Sequence, residues 1–357
     1  MHLTPETTTV VPQESRAFAV DYTGQLDALG LIWNSDDTRI ARVAGVGPTS
    51  GEALGLTPGS AKISVSASSY STASATLTVA NTGPTIWSYS LLPYVVPYTK
   101  LWGFASTSVF AMSPVGPVLR YDGVRWIKGV SDIGGYAPRA IWGSGAGDIY
   151  VGGRNGALLH STDGSGYDVV QGTGITKSIR GLWGSSAFDV YAVGDSGLVA
   201  HSDGTRWSEE TAPTTDALNG IWGSSPSDVY AISERGGIYH RTAGAWLEVM
   251  APVGDTLNAI WGSGATDVYA VGTHGSIYRY DGTSWKREDI GSDATLYSVW
   301  GPSAADVYVV GEGITLHKWS GRWRRLAFTT TMQAVWGRTP NDIHFVNVNG
   351  ETLHGTR

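Results

Sequence analysis

A Trp-Gly pair recurs seven times along the chain, at Trp102, Trp142, Trp183, Trp222, Trp261, Trp300 and Trp336, with spacings of 40, 41, 39, 39, 39 and 36 residues. No other feature limits the fold so tightly. A fixed period of about 40 residues means one supersecondary unit repeated, each copy burying its apolar face against the next. The clearest copy spans residues 257–285 and continues into the strand that ends it. Four short strands are predicted there, over 257–262, 267–272, 276–280 and 284–288. Gly-rich and Asp-Gly turns separate them, as tight hairpins require.

A second aromatic series predicts how the repeat closes. Trp126, Trp207, Trp246, Trp285 and Trp323 mark the last strand of a unit, with Tyr167 in the same role once. Trp207, Trp246 and Trp285 each stand 15 residues before the next Trp-Gly tryptophan, and so does Trp87 before Trp102. The final unit stops at Arg357 without such a strand. Residues 85–91 are therefore expected to serve as its outer strand and leave no open edge. Units of four strands at this period are the pattern of β-propeller blades. Seven Trp-Gly strands and seven outer strands predict an all-β chain with a seven-bladed propeller over residues 85–357.

Residues 1–81 lie outside the repeat. Residues 1–12 are expected to be a flexible lead-in, 13–81 a small β-sandwich of alternating strands, and 82–84 a linker. Trp33-Asn34-Ser35-Asp36, Ile40-Ala41-Arg42-Val43, Leu56-Thr57-Pro58-Gly59-Ser60-Ala61 and Ala75-Thr76-Leu77-Thr78-Val79 follow one another in an order that resembles the bacterial Ig-like group 2 (BIG2) domain. The resemblance covers about residues 13–81 and implies an Ig-like sandwich, used in that family as a spacer or adhesive module of surface, secreted or virion proteins. The repeats resemble the Trp-Gly-Ser and Asp-Val-Tyr-Ala-Val-Gly repeats of large secreted bacterial propellers and are similar to tectonin and Asp-box repeats. Ser161-Thr162-Asp163-Gly164-Ser165-Gly166-Tyr167 comes nearest to an Asp-box, with Tyr where that box has Trp. Such families include lectins, sialidase-like hydrolases and proteins of no known activity, so the resemblance implies fold more than function.

Seven copies in one chain can be compared with each other. Asp148, Asp189, Asp228, Asp267, Asp306 and Asp342 end the first turn of six copies, with Ser108 in the other; they are expected to accept turn amide hydrogens. Arg120, His160, His201, His240, Arg279, His317 and His354 share one position on the third strand. Arginine serves there twice, and blade spacing would hold these side chains apart, so neither a metal site nor a cofactor is expected. The Trp-Gly tryptophans are expected to pack between blades.

Positions that differ between copies carry the functional reading. Three residues before each Trp-Gly tryptophan stand Thr99, Arg139, Arg180, Asn219, Asn258, Tyr297 and Gln333, all able to hydrogen-bond. They are predicted to ring one mouth of the central channel, with Arg139 and Arg180 leaving it positive because no acid shares their position. Second-turn residues Arg154, Asn155, Asp195, Glu234, Arg235, His274 and Glu312 would join them, and Tyr94, Tyr98 and Tyr136 in the blade connections are suited to stacking on sugar rings.

Composition removes several classes. Lys and Arg number 24 against 31 Asp and Glu, a net charge of −7, which argues against binding nucleic acid. No run approaches the roughly 18–20 apolar residues of a membrane helix, and residues 1–10 show no signal-peptide pattern. With no cysteine, disulfides, thiol catalysis and zinc–thiolate sites are excluded. No nucleophile elbow, Walker loop, His-Glu-x-x-His or Rossmann fingerprint stands in a usable context. The expectation is a monomeric secreted or cell-surface protein that binds a glycan or another polar or anionic surface ligand at the mouth, with Thr99, Arg139, Arg180, Asn219, Asn258, Tyr297, Gln333 and Tyr98 in contact. Two alternatives stand beside it. One is a hydrolase or lyase drawing on Asp195, Glu234, His274 or Glu312; the other is an adhesion or structural component that binds a surface protein.

Overall fold

The computed structural model describes residues 2–10, 15–21, 31–38, 41–47, 50–55, 59–67, 70–79, 86–94, 96–128, 134–163, 166–251, 254–319, 321–328 and 330–356. The chain divides into two compact units, Met1–Gly83 and Pro84–Arg357. The expected linker at 82–84 lies outside the described residues, as do parts of the BIG2-like and Asp-box-like segments.

The first unit holds two four-stranded sheets. His2–Thr4, Ser15–Asp21, Ser50–Gly55 and Ala41–Gly47 form one, in that spatial order; Thr7–Val10, Tyr70–Val79, Gly59–Ala67 and Ile32–Ser35 form the other. Alternation turns Phe18, Val20, Ala53, Ile63, Val65 and Leu77 into one shared core. Within the segment 1–12, expected to be a flexible lead-in, residues 2–10 instead supply an edge strand to each sheet. Leu3 is buried in the common core, and Thr7–Val10 runs parallel to Tyr70–Val79. Threonine and valine favour the extended backbone that such edges need.

In the second unit seven four-stranded antiparallel sheets follow one another. Their first strands are Lys100–Ala105, Ala140–Gly143, Ile179–Ser186, Leu218–Ser225, Leu257–Gly264, Leu296–Ser303 and Met332–Thr339. Each touches the next, and the last touches the first, so the inner strands form a closed ring. Second strands such as Asp267–Gly272 are buried along their whole length. Ile86–Leu91 is the fourth strand of the last sheet and pairs antiparallel with Glu351–Thr356. Trp87 there packs on Phe328 and Phe345, with ring centroids 5.0 and 5.4 Å away.

The Trp-Gly pair is a knob beside a socket. A methyl group built on Gly103 would lie 2.6 Å from the Trp336 ring, and on Gly143 2.9 Å from Trp102. Gly184, Gly223 and Gly262 stand 2.6 Å from Trp142, Trp183 and Trp222 by the same measure, Gly301 3.1 Å from Trp261, and Gly337 2.6 Å from Trp300. Each glycine thus admits the indole of the preceding sheet, and Trp336 completes the circuit at Gly103.

The repeated acids also have a different role from the expected one. Among the described residues, no turn amide donates to their carboxylates. His160, His201, His240, His317 and His354 donate or accept through Nε2 at 2.6–2.8 Å from Asp148, Asp189, Asp228, Asp306 and Asp342, and Arg279 donates to Asp267. In four sheets a serine hydroxyl (Ser144, Ser185, Ser224 or Ser263) donates to the other carboxylate oxygen. Four of these histidines stack on the strand-two tyrosine, as His201 does on Tyr191 at 4.1 Å. These bonds clamp strand three to the first turn.

Two stability tests follow from the ring. A chain starting at Leu92 lacks the closing strand and is expected to melt broadly and associate through the exposed Glu351–Thr356 edge; one starting at Pro84 is expected to melt sharply as a monomer, by circular dichroism and size-exclusion chromatography. Gly262→Ala, which presses a methyl group against Trp222 and the Asp267 carbonyl, is expected to cost about 1–3 kcal/mol, whereas Gly145→Ala, in open space, is close to neutral.

Candidate functional site

The inner strands begin with a bulge. Register shifts flank Arg180, Asn219, Asn258, Tyr297 and Gln333, so in five sheets the extra residue is the one three before the Trp-Gly tryptophan. A bulge re-aims its side chain out of the sheet pattern. All seven predicted ring residues, Thr99, Arg139, Arg180, Asn219, Asn258, Tyr297 and Gln333, line one open mouth of about 1370 Å³. Arg154, Asn155 and Glu234 from the second turns join them, with Tyr136 from a connection. The second turns keep their shape through left-handed pairs such as Asn155 (φ 52°) and Gly156 (φ 73°); a side chain at Gly156 would collide with the Ile175 carbonyl.

The ring is not uniform. On one side Arg180 is engaged by Asp195, donates to Asn219 Oδ1 at 2.8 Å and stands 3.5 Å from Glu234. Asn219 and Asn258 each donate to a carbonyl of the next sheet, Leu257 and Leu296, at 2.9 and 2.8 Å. This arc is cross-linked, and the positive charge expected of Arg180 is neutralised. The acids come from second turns, which sit beside the ring in space and not at its repeat position. On the other side, over the sixth, seventh, first and second sheets, the side chains of Tyr297, Gln333, Thr99 and Arg139 have no hydrogen-bond or ion-pair partner among the described residues. Their donors face the mouth.

Lys100 belongs to this open arc and was not expected. It lines the mouth and also a smaller space of about 120 Å³ farther down the channel. Register places it level with Ala140, Gly181, Gly220, Ala259, Ser298 and Ala334, two residues before each tryptophan. Six small residues leave the room that one lysine occupies. That lone long cation was the signal available in the sequence. No ion pair reaches it among the described residues, and burial holds its ammonium below the usual lysine range.

The remaining expected residues are placed elsewhere. Tyr98 is a correction: it is 0% exposed and packs with Leu92, Ala111, Leu119 and Ala334. Burial pushes its phenol up to about 12, and it does not line the mouth. The step from Tyr98 to Thr99 reverses the side-chain direction, which sends the ring inward. His274 is exposed and held by Asp255 at 3.0 Å, and neither it, Glu312 nor Tyr94 lines the mouth. Asp195 and Glu234 both turn toward Arg180, so the acids proposed for catalysis serve as its counter-ions.

No protein-family model matches the chain, and no curated protein sequence does. Solved structures do. YCF48 bound to D1 peptide superposes with a TM-score of 0.63 at 14% identity, over 77% of this chain and 99% of that one. The WD40 beta propeller domain of Doa1 gives 0.63 at 11%, over 77% and 96%. The extracellular domain of BT4673 from B. thetaiotaomicron gives 0.62 at 10%, over 76% and 39%. The fold is a β-propeller. Identities this low speak for fold alone. No helix among the described residues is long and apolar enough to cross a membrane.

The lysine leaves a signature in stability. Because its proton is released at lower pH in the folded state than in the unfolded chain, the unfolded state binds more protons between the two values. Stability therefore climbs as pH rises through that alkaline window. Lys100→Met is expected to abolish the climb and to raise the melting temperature at neutral pH, measured by thermal melts from pH 7 to 10.

Proposed function

We propose that this chain is an extracytoplasmic binding protein, an Ig-like module of the BIG2 kind followed by a seven-bladed propeller, and that it holds an anionic, hydroxyl-bearing ligand at the propeller mouth. An acidic glycan fits best. One observation carries the reading: Lys100 and Arg139, two cations without counter-ions among the described residues, stand in the arc where Thr99, Tyr297 and Gln333 also have no side-chain partner among those residues. Unpaired buried charge is costly, and an anion supplies the missing partner. Tyr136, 40% exposed at the rim, offers a face for a sugar ring. Arg180, Asn219 and Asn258 form the rigid opposite wall. Two similar folds support the reading: one was solved with a peptide bound, and another is an extracellular domain.

The test is a panel of acidic and neutral oligosaccharides, acidic peptides and small carboxylates, measured by calorimetry. Acidic sugars are expected to bind, and Lys100→Met and Arg139→Gln to weaken binding about tenfold each, in line with the 1.5–3 kcal/mol scale of charged hydrogen bonds. Glu312→Gln, outside the mouth, should change nothing. Binding that survives both mouth substitutions, or a panel with no binder, removes the reading.

A further inference from the structure

The last sheet departs from its sisters at one buried position. Strand two carries Tyr150, Tyr191, Tyr230, Tyr269 and Tyr308 in five sheets and Phe110 in the first, but His344 in the seventh. This histidine stacks on His354 with centroids 3.9 Å apart, where four other sheets stack tyrosine on histidine. We propose that Asp342, His344 and His354 form a zinc site that fastens the sheet closing the propeller ring.

One donor atom from each of the three residues lies within 4.8 Å of the others. His354 Nε2 is 2.8 Å from Asp342 Oδ1, and His344 Nε2 is 3.3 Å from the same oxygen without hydrogen-bond geometry. Among the described residues, the buried His344 Nε2 and Asp342 Oδ2 make no bond of full hydrogen-bond geometry, although the Ser106 side chain stands beside the Asp342 carboxylate. In four other sheets a serine satisfies that second oxygen; here Arg338 stands in the serine's place, as Pro302 does in the sixth sheet, where Asp306 Oδ2 is also unpartnered but no second histidine stands beside it. Buried polar atoms rarely stay unsatisfied, and an ion is one of the few groups that would satisfy a nitrogen and a carboxylate oxygen together. Two imidazoles and one carboxylate are a set that zinc accepts in tetrahedral coordination with one position open.

Access and consequence both follow from the surroundings. A pocket of about 390 Å³ leads to His344 and His354 between Ser88 and Tyr89 of the closing strand and Tyr121 and Trp126 of the first sheet. His354 pairs directly with Ser88, whose hydroxyl donates to the His354 carbonyl. Ordering His354 on a metal would therefore order the strand that closes the ring.

The full chain, stripped of metal with a chelator, would be titrated with zinc chloride and followed by calorimetry and thermal melting. One zinc per chain is expected, with a melting temperature that rises on loading and falls back with chelator. His344→Tyr, which restores the residue of five sister sheets, should fold and bind no zinc. His354→Arg, the residue of two sister sheets, provides the same test if the first variant folds poorly. His201→Ala, in an ordinary Asp–His pair, should keep zinc binding. No uptake by the wild type, or uptake unchanged in the folded His344→Tyr or His354→Arg protein, overturns the proposal.

Discussion

Everything in the second unit depends on an indole meeting a backbone with no side chain. Seven tryptophans enter seven glycine sockets on the following sheet, and the last enters the first. A flat ring lying against bare backbone fixes the distance and the tilt between neighbouring sheets at once. Dispersion and apolar burial supply the attraction, and the missing Cβ supplies the fit. Because the contact is the same seven times, small errors in it would accumulate around the circle. Closure requires the uniformity that the sequence displays.

That uniformity frees other positions. The Asp–His and Asp–Arg bonds hold the first turn to strand three in six sheets, so one end of each sheet is rigid. At the opposite end a bulge lifts one residue toward the axis in five sheets, and across all seven the residue at that place varies from Thr to Arg to Tyr. A scaffold that tolerates any side chain at that point is what lets a mouth acquire its own chemistry. The mouth divides into a bonded wall around Arg180 and an open arc around Lys100, a division that depends on which second turns happen to carry acids.

The ring also has one irregular seam. Its last sheet borrows a strand from far earlier in the chain, carries His344 where five sheets have tyrosine, and lacks the serine that completes the Asp pair in four sheets. The long loop that the chain must close to bring Ile86–Leu91 onto Glu351–Thr356 makes this seam the entropically expensive step of folding. An added bond there would act where the fold has most need of one.

The sequence by itself determined the repeat, the four strands of each unit, the strand that closes the ring through the Trp87 offset, and the set of seven residues that meet at the mouth. These follow from local periodicity and from comparing copies, which needs no coordinates. Lys100 and His344 were open to the same comparison, one being the only long side chain and the other the only imidazole at its repeat position. Tertiary structure alone decided the rest. It turned Tyr98 into the core, made edge strands of residues 2–10, and set Asp195 and Glu234 beside Arg180 while leaving Lys100 and Arg139 without an ion pair among the described residues. Periodicity tells which residues share a level of the ring, but charge pairing depends on distances between loops of neighbouring sheets, and only the closed ring sets those.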